Sequence, residues 1–353
     1  MMKVNNLMIN KVNSVCIGTG LVALDVVISS NAGNAAQFYA GGSCGNVITI
    51  LSYLGWNTYP IARLSDNPAS SLLMEDLKKW QVKDDLLSFT DDGSTPIIIH
   101  RILKDSSGAP KHRFEFRNPE DGTYLPSYKP CLSKSVPGIV ETGIIPHVFY
   151  FDRINRASIN LAKEYKAKGA IIFFEPSSMK DLRGFEECLS IADVVKFSQD
   201  RIAGYEDSYA TGQCFLEIQT LGNDGLKFRT KNSGQWLNLP GYTIDNVIDS
   251  AGAGDWCSAG IIINLFSAGV ELQSLSREDI GIALQFGQAL SALNCTFEGA
   301  RGLMYNIGRN DLILSVQHIL DSHLKKIPQR SRPLLTYHNP NKEVKIASLF
   351  ATA

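Results

Sequence analysis

Short apolar runs alternate along most of the chain with longer stretches whose apolar positions recur every three or four residues. Residues 14–18, 22–29 and 58–64 read as strands. Between the second and third of these, 45–54 reads as a helix with Val47, Ile48, Ile50, Leu51 and Leu54 on its apolar side. Asn67-Pro68 supplies an N-cap and a first-turn proline, and Leu72, Leu73 and Leu77 form the stripe of the helix that follows. Strands are expected at 147–151, 170–174, 192–197 and 215–220, and helices at 155–168, 254–268 and 279–296. Runs such as Ala170-Ile171-Ile172-Phe173-Phe174 show no polar alternation, as in a sheet covered on both faces. Strands alternating with helices imply parallel βαβ units, so the expected fold class is α/β.

One stretch breaks this rhythm. Residues 90–128 read as strands and turns, with 95–103 and 111–117 joined by Asp105-Ser106-Ser107-Gly108. His112, Phe114 and Phe116 alternate with Arg113, Glu115 and Arg117, a period-two ribbon with one buried face. Such a hairpin inserted in an α/β chain is either a lid over a site or surface decoration.

Composition narrows the partners. In 353 residues, 34 Lys+Arg stand against 35 Asp+Glu, a formal charge of −1, which excludes a polyanion binder working through net field. No apolar run approaches the length of a membrane span, and residues 1–11 lack the apolar core of a secretory signal. A cytoplasmic protein without nucleic-acid or membrane partners is expected. The seven cysteines form no C-x-x-C pair, and reduced, mostly buried thiols fit better than disulfides or zinc. The chain contains neither G-x-x-x-x-G-K-[ST] nor the protein-kinase signature set.

The sharpest chemical signal is Asp249-Ser250-Ala251-Gly252-Ala253-Gly254-Asp255, small residues where a loop enters an apolar helix. Free amides and the positive end of a helix dipole can face an anion there. Asp255 would lie beside a bound phosphate and could take the proton of an attacking hydroxyl; the plainer alternative is an acidic residue capping a loop. Gly41-Gly42-Ser43-Cys44-Gly45-Asn46 opens the first helix in the same manner. A third small-residue turn, Thr220 to Gly225, follows a strand, where open α/β sheets bind ligands.

Together these motifs resemble the PfkB family of carbohydrate kinases, the ribokinase-like group. Asp249-Ser250 and Gly252-Ala253-Gly254-Asp255, followed by Ala259-Gly260, fit its carboxyl-terminal signature. Gly41-Gly42, Asn46 and Gly55 resemble the amino-terminal one, with Ile48 where a small residue is usual. Thr220-Leu221-Gly222 with Gly225 matches the T-L-G-x-x-G segment, and Phe286 to Thr296 with Gly299-Ala300 resembles the stretch closing over the adenine. The likeness runs from about residue 14 to about 307.

That resemblance implies a ribokinase-like three-layer α/β/α domain with a mostly parallel central sheet and a small β-strand lid. Residues 13–30, 41–89 and 130–326 would form the main domain, 31–40 and 90–129 the lid, and 327–353 a carboxyl-terminal extension. It implies ATP and Mg²⁺ as cofactors and a sugar or sugar derivative as phosphoryl acceptor. Asp255 would be the general base, with the amides of Gly252, Ala253 and Gly254 as anion hole. Asp25, Gly41, Gly42 and Asn46 would hold the sugar with Arg153 nearby; Thr220, Gly222, Gly225, Gln288 and Ala292 would line the nucleotide. Asp249 and the carbonyls around Ala251 resemble a monovalent-cation (K⁺) site found in some relatives. Lid strands pair between subunits in relatives, and the run 97–99 would suit a homodimer contact.

Two departures stand out. Ser198 and Arg201 occupy the places of the family's N-x-x-E, leaving metal placement to Asp200 through water, or phosphate contact to Arg201. Glu175 replaces a more usual aspartate; it is expected to cap the next helix, the alternative being a place near the metal. If lid arginines among Arg101, Arg113 and Arg117 face the site, a sugar acid (2-keto-3-deoxygluconate-like) or sugar phosphate becomes the acceptor. A nucleoside is a further alternative, and a non-catalytic nucleotide or sugar sensor is the reading from another class. A dinucleotide-dependent oxidoreductase rests on Gly18-Thr19-Gly20 alone, with Ala23 where the fingerprint needs glycine.

Overall fold

The computed structural model describes residues 14–29, 36–104, 110–266, 270–327 and 345–351. The amino terminus, residues 31–35 of the first lid segment, the turn at 105–108, the end of the helix expected at 254–268 and most of the carboxyl-terminal extension lie outside them.

The first part of the chain runs β1 (Val15–Thr19), β2 (Ala23–Ser29), β3 (Gln37–Gly41), α1 (Ser43–Tyr53), β4 (Asn57–Leu64), α2 (Pro68–Lys79), β5 (Leu87–Phe89), β6 (Ile97–Lys104) and β7 (Pro110–Glu115). Next come α3 (Val136–Glu141), β8 (Val148–Phe151), α4 (Arg156–Ala167), β9 (Ile171–Phe174), α5 (Leu182–Ile191), β10 (Val194–Ser198) and α6 (Tyr205–Ser208). The last part holds β11 (Leu216–Thr220), β12 (Leu226–Thr230), β13 (Leu237–Leu239), α7 (Ala253–Leu265), α8 (Arg277–Asn294), α9 (Gly302–Asn306) and α10 (Arg309–Asp321).

The large sheet has the order β13-β12-β11-β10-β9-β8-β1-β4-β5. It is parallel from β5 to β11, with β12 and β13 added antiparallel at one edge. Alternate residues of each inner strand enter opposite hydrophobic clusters. Cys16, Tyr150, Phe173 and Val194 pack on one side with Val47 of α1, Trp256 of α7 and Leu284 of α8. Ile17, Phe149, Ile172 and Val195 pack on the other with Leu161 of α4 and Phe185 of α5. Burial on both faces explains why these strands read as unbroken apolar runs, and the result is the expected three-layer α/β/α arrangement. From β1 the chain goes to β4 and β5 on one side, then returns to β8 on the other. The ends of β1 and β8 are therefore a topological switch point.

A second sheet, ordered β3-β2-β6-β7, stands beside the first. Its register sets two faces: Asp25 lies opposite Tyr39 and Ile98, and Val27 opposite Gln37 and His100, which in turn faces Phe114. The other face carries Val26, Phe38 and Ile99 into the core, and Arg101 and Arg113 continue along it.

Candidate active site

Two helix starts meet at the centre. α1 packs against α7, and each begins at a glycine with positive φ, Gly42 at 76° and Gly252 at 72°. A Cβ at Gly42 would lie 2.5 Å from the Leu21 carbonyl oxygen, and one at Gly252 only 2.0 Å from that of Ala300. Only glycine meets both demands of these corners, left-handed backbone and close approach. No side chain caps either helix. In α1 the Gly45 amide already donates to the Leu21 carbonyl at 3.1 Å, so a first-turn amide open to a ligand is to be found at the start of α7. Gly254 is exposed there, whereas the Ala253 amide already donates to the Ser250 carbonyl at 3.3 Å.

Across this junction the Asn46 Nδ2 donates to Asp255 Oδ2 at 2.8 Å. Burial, with repulsion from Glu175, pushes the Asp255 carboxyl up to about 7 against the opposing pull of Asn46, Lys196 and Arg201. Behind Asp255, Lys196 projects from β10 and donates to Glu175 Oε1 at 2.7 Å and to the Gly254 carbonyl at 3.1 Å. Burial presses the Lys196 ammonium toward neutrality, but the Glu175 carboxylate outweighs it and the net shift is upward. Ser258 and the Tyr150 hydroxyl both donate to Glu175 Oε2, at 2.5 and 3.1 Å. Glu175 thus belongs to the site's charge network and caps nothing. The cap of α5 is Asp181, which accepts from the Gly184 amide at 3.0 Å, because the loop after β9 carries the chain past Glu175 before the helix begins.

At the switch point, Asp152 follows β8 and accepts from the Leu21 amide at 3.0 Å and from Ser43. Arg153 turns back on it, 2.9 Å from the Asp152 carbonyl and 3.2 Å from its carboxylate. Asp25 projects from β2 over Gly41, where a Cβ would collide with its carboxylate. Burial pushes Asp25 up to about 7, against the nearby Arg301 guanidinium and an amide bond from Gly42. A cavity of about 320 Å³ opens between this face of the small sheet and the loop after α8, lined by Asp25, Tyr39, Asn46, Gly299 and Arg301. Asp25 Oδ1 and Asn46 Oδ1 are both buried with no hydrogen-bond partner among the described residues. Arg301 is tied to Asp76 and the Ala40 carbonyl, and Asp76 also accepts from the Tyr305 hydroxyl.

The other residues singled out in the sequence take these places. Thr220 ends β11 beside Ser198, so the Gly222–Gly225 turn lies at the same end of the sheet as Lys196 and Arg201. Gln288 and Ala292 are buried on α8, and Gln288 Nε2 has no partner among the described residues. Asp249 is fully buried, accepting the Ala251 amide at 2.6 Å and the Gly299 amide at 2.8 Å.

The small sheet departs from expectation. Phe114 and Phe116, placed on the buried face of the ribbon, are 53% and 58% exposed, although Phe114 stacks on buried His100 at 4.9 Å. Strand β7 is the sheet edge, and Phe114 shares the face of His100 and Asp25, opposite the face that Val26 and Ile99 turn into the core, while Phe116 lies beyond the strand. Arg101 and Arg113 pair with Glu115 on the face away from Asp25, and Arg117 lies over the Tyr124 ring. Ile97 and Ile99 are buried in the core of this chain, while Ile98 between them lies half-buried on the Asp25 face.

Lys196, Asp152, Ser258 and Arg301 were missed. Lys196 had a readable signal, a charge inside an otherwise apolar strand. Asp152 had a weaker one, a carboxylate directly after the apolar run Val148–Phe151.

No protein-family model matches the chain. It is 32% identical over 271 residues to an ATP-dependent ribose-1-phosphate kinase of Halopiger xanaduensis, covering 74% of this chain and 82% of that protein. It is 25% identical over 283 residues to probable fructokinase-5 of Arabidopsis thaliana, covering 74% and 83%. Among solved structures, a Vibrio cholerae fructokinase in fructose-, ADP- and calcium-bound form superposes with a TM-score of 0.64 at 19% identity, covering 85% of this chain and 98% of that one. The likeness of fold, the order of the motifs and the identity to a named sugar kinase agree: this chain belongs to the ribokinase-like PfkB family of carbohydrate kinases.

Proposed function

We propose that the protein transfers the γ-phosphate of ATP to a hydroxyl of a sugar or sugar derivative, with Asp255 as general base. The observation that carries this reading is the Asn46–Asp255 contact of 2.8 Å at the mouth of α7. It aims a carboxylate whose pKa is pushed up to about 7 beside exposed Gly254 at the start of α7. A base with such a pKa is half-ionised at neutral pH and can take a proton as the hydroxyl attacks.

The acceptor hydroxyl loses its proton to Asp255 while its oxygen forms the new P–O bond and ADP leaves. The charge building on the transferring phosphoryl group would meet the amides of Gly252 and Gly254, with Ala253 contributing less because of its Ser250 bond. Lys196 and Arg201 add positive charge near Asp255, Arg201 at the place of the family's Glu and Ser198 at that of its Asn. Asp25 and Asn46 would hold the acceptor. Their orphaned oxygens are acceptors without donors, the complement of a ring of hydroxyl groups. The Thr220–Gly225 turn, with Gln288 and Ala292, would take the nucleotide.

Among the described residues no group of three or more His, Cys, Asp or Glu side chains could hold a metal ion, and Glu175 is engaged with Lys196, Ser258 and Tyr150. Magnesium would reach this site carried on the nucleotide phosphates and still holding waters of its own, and there it would neutralise the phosphate charge.

The lid arginines give no support to an anionic acceptor, since Arg101 and Arg113 are committed to Glu115 on the far face. Arg153 and Arg301 keep sugar phosphates and sugar acids within reach. The test is an ATP-consumption screen over sugars, sugar acids, sugar phosphates and nucleosides. Turnover that disappears in Asp255→Asn supports the reading. ADP binding without turnover of any acceptor would favour a sensor.

A further inference from the structure

We propose that the Asn294 side chain does here what a monovalent cation does for the same loops in some relatives, so that this kinase needs no potassium. Asn294 is the last residue of α8 and is fully buried. Its Nδ2 donates to the Ala251 carbonyl at 3.1 Å and to the Ala300 carbonyl at 3.3 Å. Its Oδ1 accepts from the Leu303 amide at 3.2 Å. The two ends of the amide cannot be exchanged, because one faces two carbonyls and the other a backbone N–H.

The Ala251 carbonyl belongs to the set expected to hold a cation beside Asp249, and it is already committed to Asn294. Ala300 accepts a second bond from Trp256 Nε1 at 3.2 Å, which uses both lone pairs of that oxygen. The Asp249 oxygens each take a backbone amide, from Ala251 and from Gly299. The carboxylate is thus stabilised by N–H donors as a bound ion would otherwise do. What the amide holds together is also what a cation would hold. Ala251 begins the loop that leads to Gly252–Asp255, and Ala300 lies against Gly252 so closely that no Cβ would fit. Asn294 is therefore a positioning residue: it fixes the helix-start amides by tying both loops to the end of α8.

The kinetic arm of this inference rests on the proposed phosphoryl transfer, but its thermal arm does not. The parent protein is melted in KCl and in choline chloride at equal ionic strength, then assayed in both with ATP and a turned-over acceptor. The two melting temperatures should agree within about 1 °C and the rates within about twofold, because no ion binds the folded state specifically. A potassium-specific rise in either overturns the proposal. Asn294→Ala opens the space between the carbonyls; it should acquire a potassium-specific gain in melting temperature. Its kcat should fall at least about tenfold in choline with acceptor KM little changed, and recover in KCl, a split that loss of packing alone would not produce. A folded Asn294→Ala that ignores potassium also overturns the proposal. Should the variant fail to fold, the parent comparison decides alone. Absence of turnover in every salt counts against the proposed function and leaves the melting result to decide this one.

Discussion

The Asn46 amide and the Asp255 carboxylate meet at 2.8 Å although 209 residues separate them, and the contact has opposite effects on the two states of the acid. It favours the ionised form while burial and Glu175 favour the protonated one, with a balance at about 7. The base should be deprotonated for transfer, so activity should rise with pH through an acid limb near 7 rather than near the ordinary aspartate range. Removing the donor in Asn46→Ala should move that limb upward. Asp255→Asn should lose about 10²–10⁴-fold in kcat while ADP still raises the melting temperature. A pH–rate profile of kcat for parent and Asn46→Ala, with a thermal-shift titration of Asp255→Asn, checks all three; equal turnover in Asp255→Asn removes the general-base role.

Asp25 makes the pH dependence of stability testable. Its carboxyl holds a proton up to about 7 in the fold, against the 3.8 of an ordinary aspartate. Between those limits the folded chain binds more protons than the unfolded one, so this group's contribution falls as pH rises through the window and stays low above it. Asp25→Asn keeps the shape and removes the charge. It should flatten that decline and melt higher than the parent at pH 8, with the advantage gone at pH 4. The same variant should raise the acceptor KM at least about tenfold, since a charged acceptor of hydroxyl hydrogen bonds is lost. A variant that melts lower than the parent at pH 8 contradicts the burial cost assigned to this group.

Much of the fold and part of the site were legible for a physical reason: they are written in local pattern. Alternation of apolar runs with helical periodicity gave the α/β class, and the positive-φ corners at Gly42 and Gly252 announced themselves as small residues before a helical stripe in one case and an apolar helix in the other. The Lys196–Glu175–Ser258 network was not legible, because its members lie 21 and 83 residues from one another and come together only when β10 is placed beside β9 and under α7. Glu175 looked like a helix cap because local pattern offers acidic residues before helices no other role. The ribbon of β7 shows the same limit: period two establishes that two faces exist, but only pairing with β6 decides which faces Asp25.

Gly252→Ala tests the corner at which α7 starts. The substitution asks a Cβ to sit 2.0 Å from the Ala300 carbonyl oxygen at a φ of 72°, so either the loop after α8 or the first turn of α7 must move. The loss of stability should exceed about 1 kcal/mol, and turnover should fall further than stability does because the displaced groups are the helix-start amides and Asp255. Chemical denaturation beside kcat separates the two effects. Gly169→Ala is the control: its φ of 88° carries the backbone cost, but nothing lies within 4 Å of the added methyl and the residue has no place in the site.

Lys196→Met removes one half of a buried ion pair while keeping the bulk of the side chain. Glu175 is then left without its ammonium partner, its remaining donors being the hydroxyls of Ser258 and Tyr150. Breaking such a pair from one side costs about 3–5 kcal/mol because the stranded charge must be desolvated or neutralised. Asp255 feels the change too: Lys196 pulls its carboxyl down, so its loss should shift the acid limb of the rate profile upward, in the same direction as Asn46→Ala. The double variant Lys196→Met with Glu175→Gln has no stranded charge and should regain part of the stability. It also lacks the Glu175 repulsion that raises Asp255, so its acid limb should lie below that of Lys196→Met alone. Urea denaturation and pH–rate profiles on the single and double variants decide this, and a double variant no more stable than Lys196→Met would show that the ion pair is not what the lysine contributes.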